Sequence, residues 1–390
     1  MREGWKYKKL GEVCTNVENI RWNDIDIQAN YYYVDLSAVD RETYKITNPQ
    51  IITKETSPSR ARQIIKKNDV LFATTRPSLK RVCLIPQDYD NSICSTGFCV
   101  LRPSNTLNSQ WLFYCLIDKS FYNYIEPLQS GTSYPAVTDT IVKNYIIPIP
   151  PLLEQQAIVA RLDKEFERIE KVKQNAQQTL NISQELFKST LSEIVTPREG
   201  WEIKTLGEIA DIIGGSTPRT NIDDNWKGHN LWITPAELNE EKYIYDSERK
   251  ISDKAASKLK KLPVGTILFS SRAPIGKVAI TKKEMYCNQG FKNLVCKKTI
   301  YNEYVYWYLL HAVPQLKALG TGATFKELSK KKMEGFSIAF PTYQKQIIIS
   351  KYLDEFSGYI DNVKSRCQQI ISLCDEYKQA LLNDVFGDGE

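Results

Sequence analysis

Histidine is almost absent: the 390 residues hold only two, His229 and His311. That leaves little of the side chain most used for general acid–base and metal chemistry near neutral pH. His311 lies in the apolar stretch Tyr304 to Ala312, where a packed imidazole is the expected role. The motifs of common chemistries are missing as well: no H-E-x-x-H, no G-x-x-x-x-G-K-[ST] and no G-x-G-x-x-G. Gly320-Thr321-Gly322 has no dinucleotide fingerprint around it. Pro148 to Pro151 lacks the acid or amide before the prolines, and the aromatic after them, that adenine methyltransferases place beside the target amine. The nine cysteines are odd in number and form no C-x-x-C pair, so reduced thiols of a cytoplasmic protein are expected, without a disulfide framework or zinc site. No apolar run reaches the ~20 residues needed to cross a membrane, and Met1-Arg2-Glu3-Gly4 begins no signal peptide. Catalysis by a familiar route, bound metal, membrane insertion and secretion are all disfavoured.

What is present is a long pattern, and it occurs twice. From Pro150-Pro151-Leu152-Leu153-Glu154-Gln155-Gln156 to about Val195, apolar residues recur three or four apart: Ile158, Leu162, Phe166, Ile169, Val172, Ala176 and Leu180. No Gly or Pro interrupts Leu152 to Thr196. The spacing predicts one amphipathic helix, started by prolines whose missing N–H costs little in a first turn. At 1.5 Å per residue, about 45 residues make a rod of roughly 65 Å, which needs a partner along its length. Residues 341–386 supply one, with Ile349, Leu353, Phe356, Ile360, Val363, Cys367, Ile370, Cys374, Tyr377 and Leu381 alternating four and three apart as a heptad seam. The shift of 191 positions that moves Pro150 onto Pro341 also moves Gln155 onto Gln346, Ile158 onto Ile349, and Leu162-Asp163 onto Leu353-Asp354.

The segments before the helices repeat too. Arg2-Glu3-Gly4-Trp5 to Leu10-Gly11-Glu12-Val13 matches Arg198-Glu199-Gly200-Trp201 to Leu206-Gly207-Glu208-Ile209, identical at eight of twelve positions. Val70 to Arg76 answers to Ile267 to Arg272, Cys94-Ser95-Thr96-Gly97-Phe98 to Cys287-Asn288-Gln289-Gly290-Phe291, and Gly131-Thr132-Ser133-Tyr134 to Gly322-Ala323-Thr324-Phe325. Residues 14–60 and 210–260 share almost nothing, so one scaffold carries two different surfaces. Short β-branched and aromatic runs between Pro, Asn, Gly and Ser turns, with one helix near Ser109 to Asp118 or Asn302 to Ala312, predict a mixed α/β domain with a largely antiparallel sheet. The expected organisation is a domain at 1–149, a long helix at 150–196, a second domain at 197–340, and a second long helix with a tail at 341–390. The fold class is α/β: two similar domains separated by two long helices packed as an antiparallel coiled coil, a pseudo-two-fold internal repeat.

A net charge of +6 leans mildly toward polyanions. The excess is local. Lys54 to Arg81 carries eight Lys or Arg against Glu55 and Asp69, and Arg249 to Lys298 carries thirteen against Asp253 and Glu284. A charge run is commonly a solvated face. Here it recurs in both copies among Thr, Ser, Asn, Gln and Tyr, which hydrogen-bond to phosphates and base edges. The most pointed sites are two strand ends. Thr74, Thr75 and Arg76 precede Pro77, with Lys80 and Arg81 beyond; Ser270, Ser271 and Arg272 precede Ala273-Pro274, with Lys277 beyond. Arginine suits a bidentate contact to guanine, and the hydroxyls and second cation suit phosphate oxygens. The alternative is an arginine bracing a turn. An enzyme with unfamiliar motifs and a coiled-coil scaffold remain the competing classes.

Taken together, the paired Gly-Trp-x-x-x-x-Leu-Gly-Glu openings, the Leu-Phe…Arg strand ends, the Gly-Thr/Ala-Ser/Thr-Tyr/Phe turns and Pro-Pro-Leu-x-Glu-Gln-Gln resemble the specificity subunit of type I restriction–modification systems, over essentially the whole chain. The second copy departs at Pro341-Thr342-Tyr343-Gln344-Lys345-Gln346, which lacks the second proline and the glutamate. The resemblance implies two target-recognition domains, each reading half of a split double-stranded DNA site. It implies a subunit with no catalysis or cofactor of its own, joined to two adenine methyltransferase subunits and optionally to restriction-translocase subunits, with S-adenosylmethionine, ATP and Mg on those partners. Matching positions make Thr74, Thr75, Arg76, Lys80, Arg81, Ser270, Ser271, Arg272 and Lys277 candidates for DNA contact, with Ser133, Tyr134, Thr324 and Phe325 beside them. The apolar stripe Phe187, Leu191, Ile194, Val385 and Phe386 is expected to dock the methyltransferase subunits.

Overall fold

The computed structural model describes residues 4–239, 241–272, 274–321 and 326–387. By packing, the chain divides into residues 1–177 with 368–390, and residues 178–367. Each unit holds one domain and part of each long helix, Leu152–Val195 and Tyr343–Phe386, both 44 residues long. The helices are therefore shared between the units rather than standing apart from them.

In the first unit, two four-stranded sheets replace the single sheet expected. One runs Cys14–Thr15, Phe98–Pro103, Val70–Ala73, Val82–Leu84, all antiparallel. The other runs Gln50–Ile52, Tyr31–Val34, Ser92–Ser95, Ala61–Ile65, with its middle pair parallel. Val70-Leu71-Phe72-Ala73 is apolar at every position because both faces of the strand are covered. Val70 and Phe72 join the core under the helices, and Leu71 and Ala73 join the core between the sheets. The helical layer is Ser109–Ile117 and Lys119–Ile125, and the long-helix segments complete that core through Val159, Leu162, Leu382, Val385 and Phe386. Lys173 Nζ meets Asp375 Oδ1 at 2.7 Å. Low numbers on one helix thus face high numbers on the other, an antiparallel pairing.

The second unit repeats this with a five-stranded and a three-stranded sheet. Ile267 and Phe269 face the helical core, and Leu268 faces the core between the sheets. The helix begins at Asn302 as expected but continues through Pro314 to Ala318, with Leu316 fully buried beyond the proline. Leu191 and Val195 share its core with Leu353, and Phe187 stacks on Phe356 at 5.9 Å between ring centroids.

Here the expected docking stripe is corrected. Leu191, Val385 and Phe386 are 5%, 3% and 6% exposed; Phe187 and Ile194 are half-buried against the core that holds Leu191, while Val385 and Phe386 belong to the core of the first unit. Each domain's own helix covers the stripe: Trp111 packs on Phe386 at 4.7 Å and Trp307 on Phe187 at 5.9 Å. An amphipathic pattern reports that a face is buried, and here the cover comes from the chain itself.

The repeated polar positions explain how each domain holds its helices. Gln155, fully buried, accepts from the Asn108 N–H at 2.8 Å and donates to Pro150 O at 2.8 Å. Gln346 accepts from the Tyr301 N–H and donates to Pro341 O, both at 2.9 Å. Asp163 accepts from the Tyr114 hydroxyl, and Asp354 from Trp307 Nε1 at 3.0 Å and from Lys242 Nζ. Trp111 Nε1 donates to Pro148 O at 3.0 Å, where the second domain has the Tyr304 hydroxyl on Ala339 O at 2.8 Å. The glutamate absent from the second copy is Glu154, which takes Trp5 Nε1 at 2.9 Å; Lys345 in its place cannot accept.

Candidate nucleic-acid interface

Each expected contact loop leaves the end of a doubly covered strand, Val70–Ala73 or Ile267–Phe269. The hydrogen bonds set the equivalence of the two copies. Thr74 N–H and hydroxyl both donate to Gly97 O at 2.9 Å, and Ser271 N–H and hydroxyl donate to Gly290 O at 2.8 and 3.1 Å. Thr75 bridges Ala136, and Arg272 bridges Glu327. Thr75 therefore corresponds to Arg272, and the sequence pairing of Arg76 with Arg272 is out by one residue. The reason is that two arginines on neighbouring positions draw the alignment together.

The hydroxyls of Thr74, Ser270 and Ser271 turn inward. Thr74 is 7% exposed and the two serines 0%. Ser270 Oγ donates to Pro274 O at 2.8 Å and accepts from the Lys277 N–H at 2.8 Å, closing the loop on itself. Two of the cations also brace the fold. Arg81 donates through Nη1 to Leu36 O, and its equivalent Lys277 donates through Nζ to Pro235 O at 3.1 Å. In both copies this ties the strand after the loop to a short 3-10 turn, Leu36–Ala38 or Pro235–Glu237.

What remains outward differs between the domains. In the first, Arg76 and Lys80 are exposed and flank the 3-10 turn Pro77–Leu79. The Arg76 guanidinium lies over the exposed Tyr134 ring at 4.4 Å, and the Arg76 backbone N–H donates to Pro135 O at 2.7 Å. Lys80 Nζ lies 5.0 Å from the Tyr122 ring centroid. Thr75 is half-buried and Ser133 exposed beside them. Both cations have left-handed backbones, φ 51° and 52°, a strained choice for side chains larger than glycine. The position matching Lys80 is Gly276, φ 98°, where a Cβ would fall 2.5 Å from Val313 Cγ1. The first domain keeps a cation where the second has room for none.

In the second domain, Arg272 Nε donates to Glu327 Oε2 at 3.0 Å, and Lys292 Nζ meets Glu327 Oε1 at 3.2 Å and Ser271 Oγ at 3.2 Å. Burial pushes the Glu327 carboxyl up, but hydrogen bonds and charge from Lys292 and Arg272 outweigh it and hold the group below its ordinary value. Glu327 and Lys292 were not singled out from the sequence. Their signal is charge where the first copy has Ala136 and Cys99. Thr324 and Phe325 lie outside the described residues.

The wider basic runs are partly internal: Lys54 Nζ donates to Asn23 O at 3.1 Å. Beyond the first run, Arg102 pairs with the buried Asp69 at 2.8 Å. Arg249 lies 3.6 Å over Trp226. All nine cysteines are free thiols, and burial raises those of Cys14, Cys287 and Cys296 to about 12. Among the described residues no cluster of His, Cys, Asp and Glu could hold a metal ion, and no helix is long and apolar enough to cross a membrane.

The duplication of one frame is also what the comparisons with known proteins show. The profile of the Type I restriction modification DNA specificity domain matches residues 2–179 and again 198–371. The MjaIX specificity subunit of Methanocaldococcus jannaschii is 39% identical over 172 residues, 43% of this chain and 40% of that one, so the match spans less than half of either protein. The putative MjaX specificity subunit of the same organism is 25% identical over 399 residues, 96% of this chain and 86% of that one. A structure solved in work on complex assembly and conformational transition of the type I R-M system superposes with a TM-score of 0.88 at 31% identity, covering 98% of both chains. The HsdS subunit from Thermoanaerobacter tengcongensis gives 0.65 at 30% identity, covering 99% of this chain and 97% of that one. The chain belongs to the type I restriction–modification DNA specificity family.

Proposed function

We propose that this chain is a non-catalytic, sequence-specific double-stranded DNA-binding subunit that reads an asymmetric two-part site and brings adenine methyltransferase subunits to it. The observation carrying this reading is the pair of loops: one frame built twice, with Arg76 over Tyr134 in one copy and Arg272 on Glu327 in the other. Two identical readers would favour a palindrome, and two unlike ones favour an asymmetric pair of half-sites. Two methyltransferase subunits are the expected partners, restriction-translocase subunits an optional addition, and the cytoplasm the expected location. S-adenosylmethionine, ATP and Mg belong to the partners in this reading.

The test is methylome sequencing of cells expressing the chain with its methyltransferase, beside a variant whose residues 14–140 come from a relative. One half-site should change and the other stay. Change in both or in neither would refute the two-reader assignment, and S-adenosylmethionine binding to the chain alone would refute the non-catalytic role.

A further inference from the structure

Resting on that reading, we propose that Glu327, held by Lys292, is the positioning residue that presents Arg272 to a base of the second domain's half-site. Glu327 uses one oxygen for each cation: Oε2 for Arg272 Nε at 3.0 Å, Oε1 for Lys292 Nζ at 3.2 Å. Lys292 is the fixed end of the arrangement, 13% exposed and also bonded to the buried Ser271 hydroxyl. Arg272 is the free end, 48% exposed. Among the described residues only its Nε is engaged, and none accepts from either Nη group. The two Nη groups are part of the planar fork that matches the O6 and N7 acceptors of guanine. Holding the third nitrogen fixes the plane of that fork without occupying it.

The backbone adds to the constraint, since Arg272 and Glu327 face each other across an antiparallel bridge and Glu327 also bridges Thr321. A flexible arginine loses rotamer freedom when it pairs with a base. One already ordered by a carboxylate loses less, so more of the contact shows as affinity and selectivity. The carboxylate also has an opposite effect, repelling phosphates nearby, and the two effects make different predictions. If Glu327 only neutralises Arg272, removing its charge tightens binding to every sequence. If it positions Arg272, removing it weakens binding and loosens the choice of one base.

The experiment uses the full chain co-expressed with its methyltransferase partner, as wild type, R272A, E327Q, E327A and R272A/E327A. Readouts are the methylated motif, affinity for matched and singly mismatched duplexes, its salt dependence, and thermal unfolding. Arg272→Ala should lower discrimination at one position by roughly tenfold or more. Both Glu327 variants should relax that same position, E327A more than E327Q, and the double variant should be no worse than R272A. Tighter binding to all sequences by E327Q, additive losses in the double variant, or lower thermal stability with an unchanged motif would each overturn the positioning role. If R272A itself left the motif unchanged, Arg272 would not be a reader and the proposal would fall with it. A motif that did not depend on this chain at all would instead sink the broader reading.

Discussion

The two loops hold an arginine by different physics. Arg76 rests on a ring, and Arg272 is tied by a carboxylate that a lysine fixes from behind. Stacking constrains the plane of a guanidinium while leaving its N–H groups and full charge free. A carboxylate constrains it more tightly but occupies a nitrogen and cancels a charge. Among the described residues, the first loop therefore offers Arg76 and Lys80 with no paired anion between them, and the second offers Arg272 and Lys292 with Glu327. In the proposed reading, the first copy favours electrostatic reach and the second orientation. The frame beneath both is the same.

The largest expected effect tests that shared frame. Leu191→Glu and its counterpart Leu382→Glu each place a charge in a core where the leucine is 5% or 0% exposed. Each should cost more than about 4 kcal/mol and unfold its own unit, seen as lost helicity and faster proteolysis. Folded, soluble Leu191→Glu protein that failed only to bind a partner would restore the docking role for this stripe. Next come the anchors, where the copies differ. Asp354→Ala leaves the half-buried network around Lys242 without one of its two carboxylates, whereas Asp163→Ala frees one tyrosine hydroxyl. Denaturant unfolding should show losses of about 2 and about 1 kcal/mol respectively, and equal losses would mean that the extra lysine contributes nothing.

Smaller effects sharpen the contrast between the loops. Arg76→Ala should weaken discrimination by about 1–3 kcal/mol at one position of the first half-site only. Tyr134→Leu should reproduce about 0.5–1 kcal/mol of that loss and Tyr134→Phe almost none, since the face of the ring is what Arg76 meets. A larger loss in Tyr134→Phe would mean that the hydroxyl touches DNA. The smallest effect is in pH. Glu327 titrates below its ordinary value of 4.5, so its contribution is present above the unfolded value and lost as pH falls through the folded one. The stability gap between wild type and Glu327→Gln should narrow as pH drops below the ordinary value of 4.5. A gap that widened would mean that the carboxyl is favoured in its protonated form.

The frame was the readable part. Gln155 and Gln346, Leu162-Asp163 and Leu353-Asp354, and the paired Gly-Phe turns recur because each makes the same main-chain or helix contact twice. The site was less readable. Arg272 and Glu327 are 55 positions apart, and no local pattern announces their pairing. Thr74, Ser270 and Ser271 look like contact residues by type, yet their hydroxyls close turns, because a small polar side chain at a strand end serves either purpose. The apolar stripe from Phe187 to Ile194 was legible as apolar, and the sequence reading assigns it to a partner subunit rather than to the chain's own core. Its cover, Trp307, is more than a hundred residues away in sequence.

Each domain starts and ends on one antiparallel ribbon, Lys6–Lys9 on Ile146–Ile149 and Glu202–Thr205 on Ser337–Phe340. The incoming and outgoing chain are thus zipped together at the base of the domain. In the second unit a five-residue stretch, 196–200, joins the end of the helix at Val195 to Trp201. In the first unit the matching residues are Phe386 and Trp5, which lie against the same side chain, Trp111, at 4.7 and 5.6 Å between ring centroids. In the first unit, packing on one indole thus does what the peptide stretch 196–200 does in the second, holding the end of a helix beside the start of a ribbon.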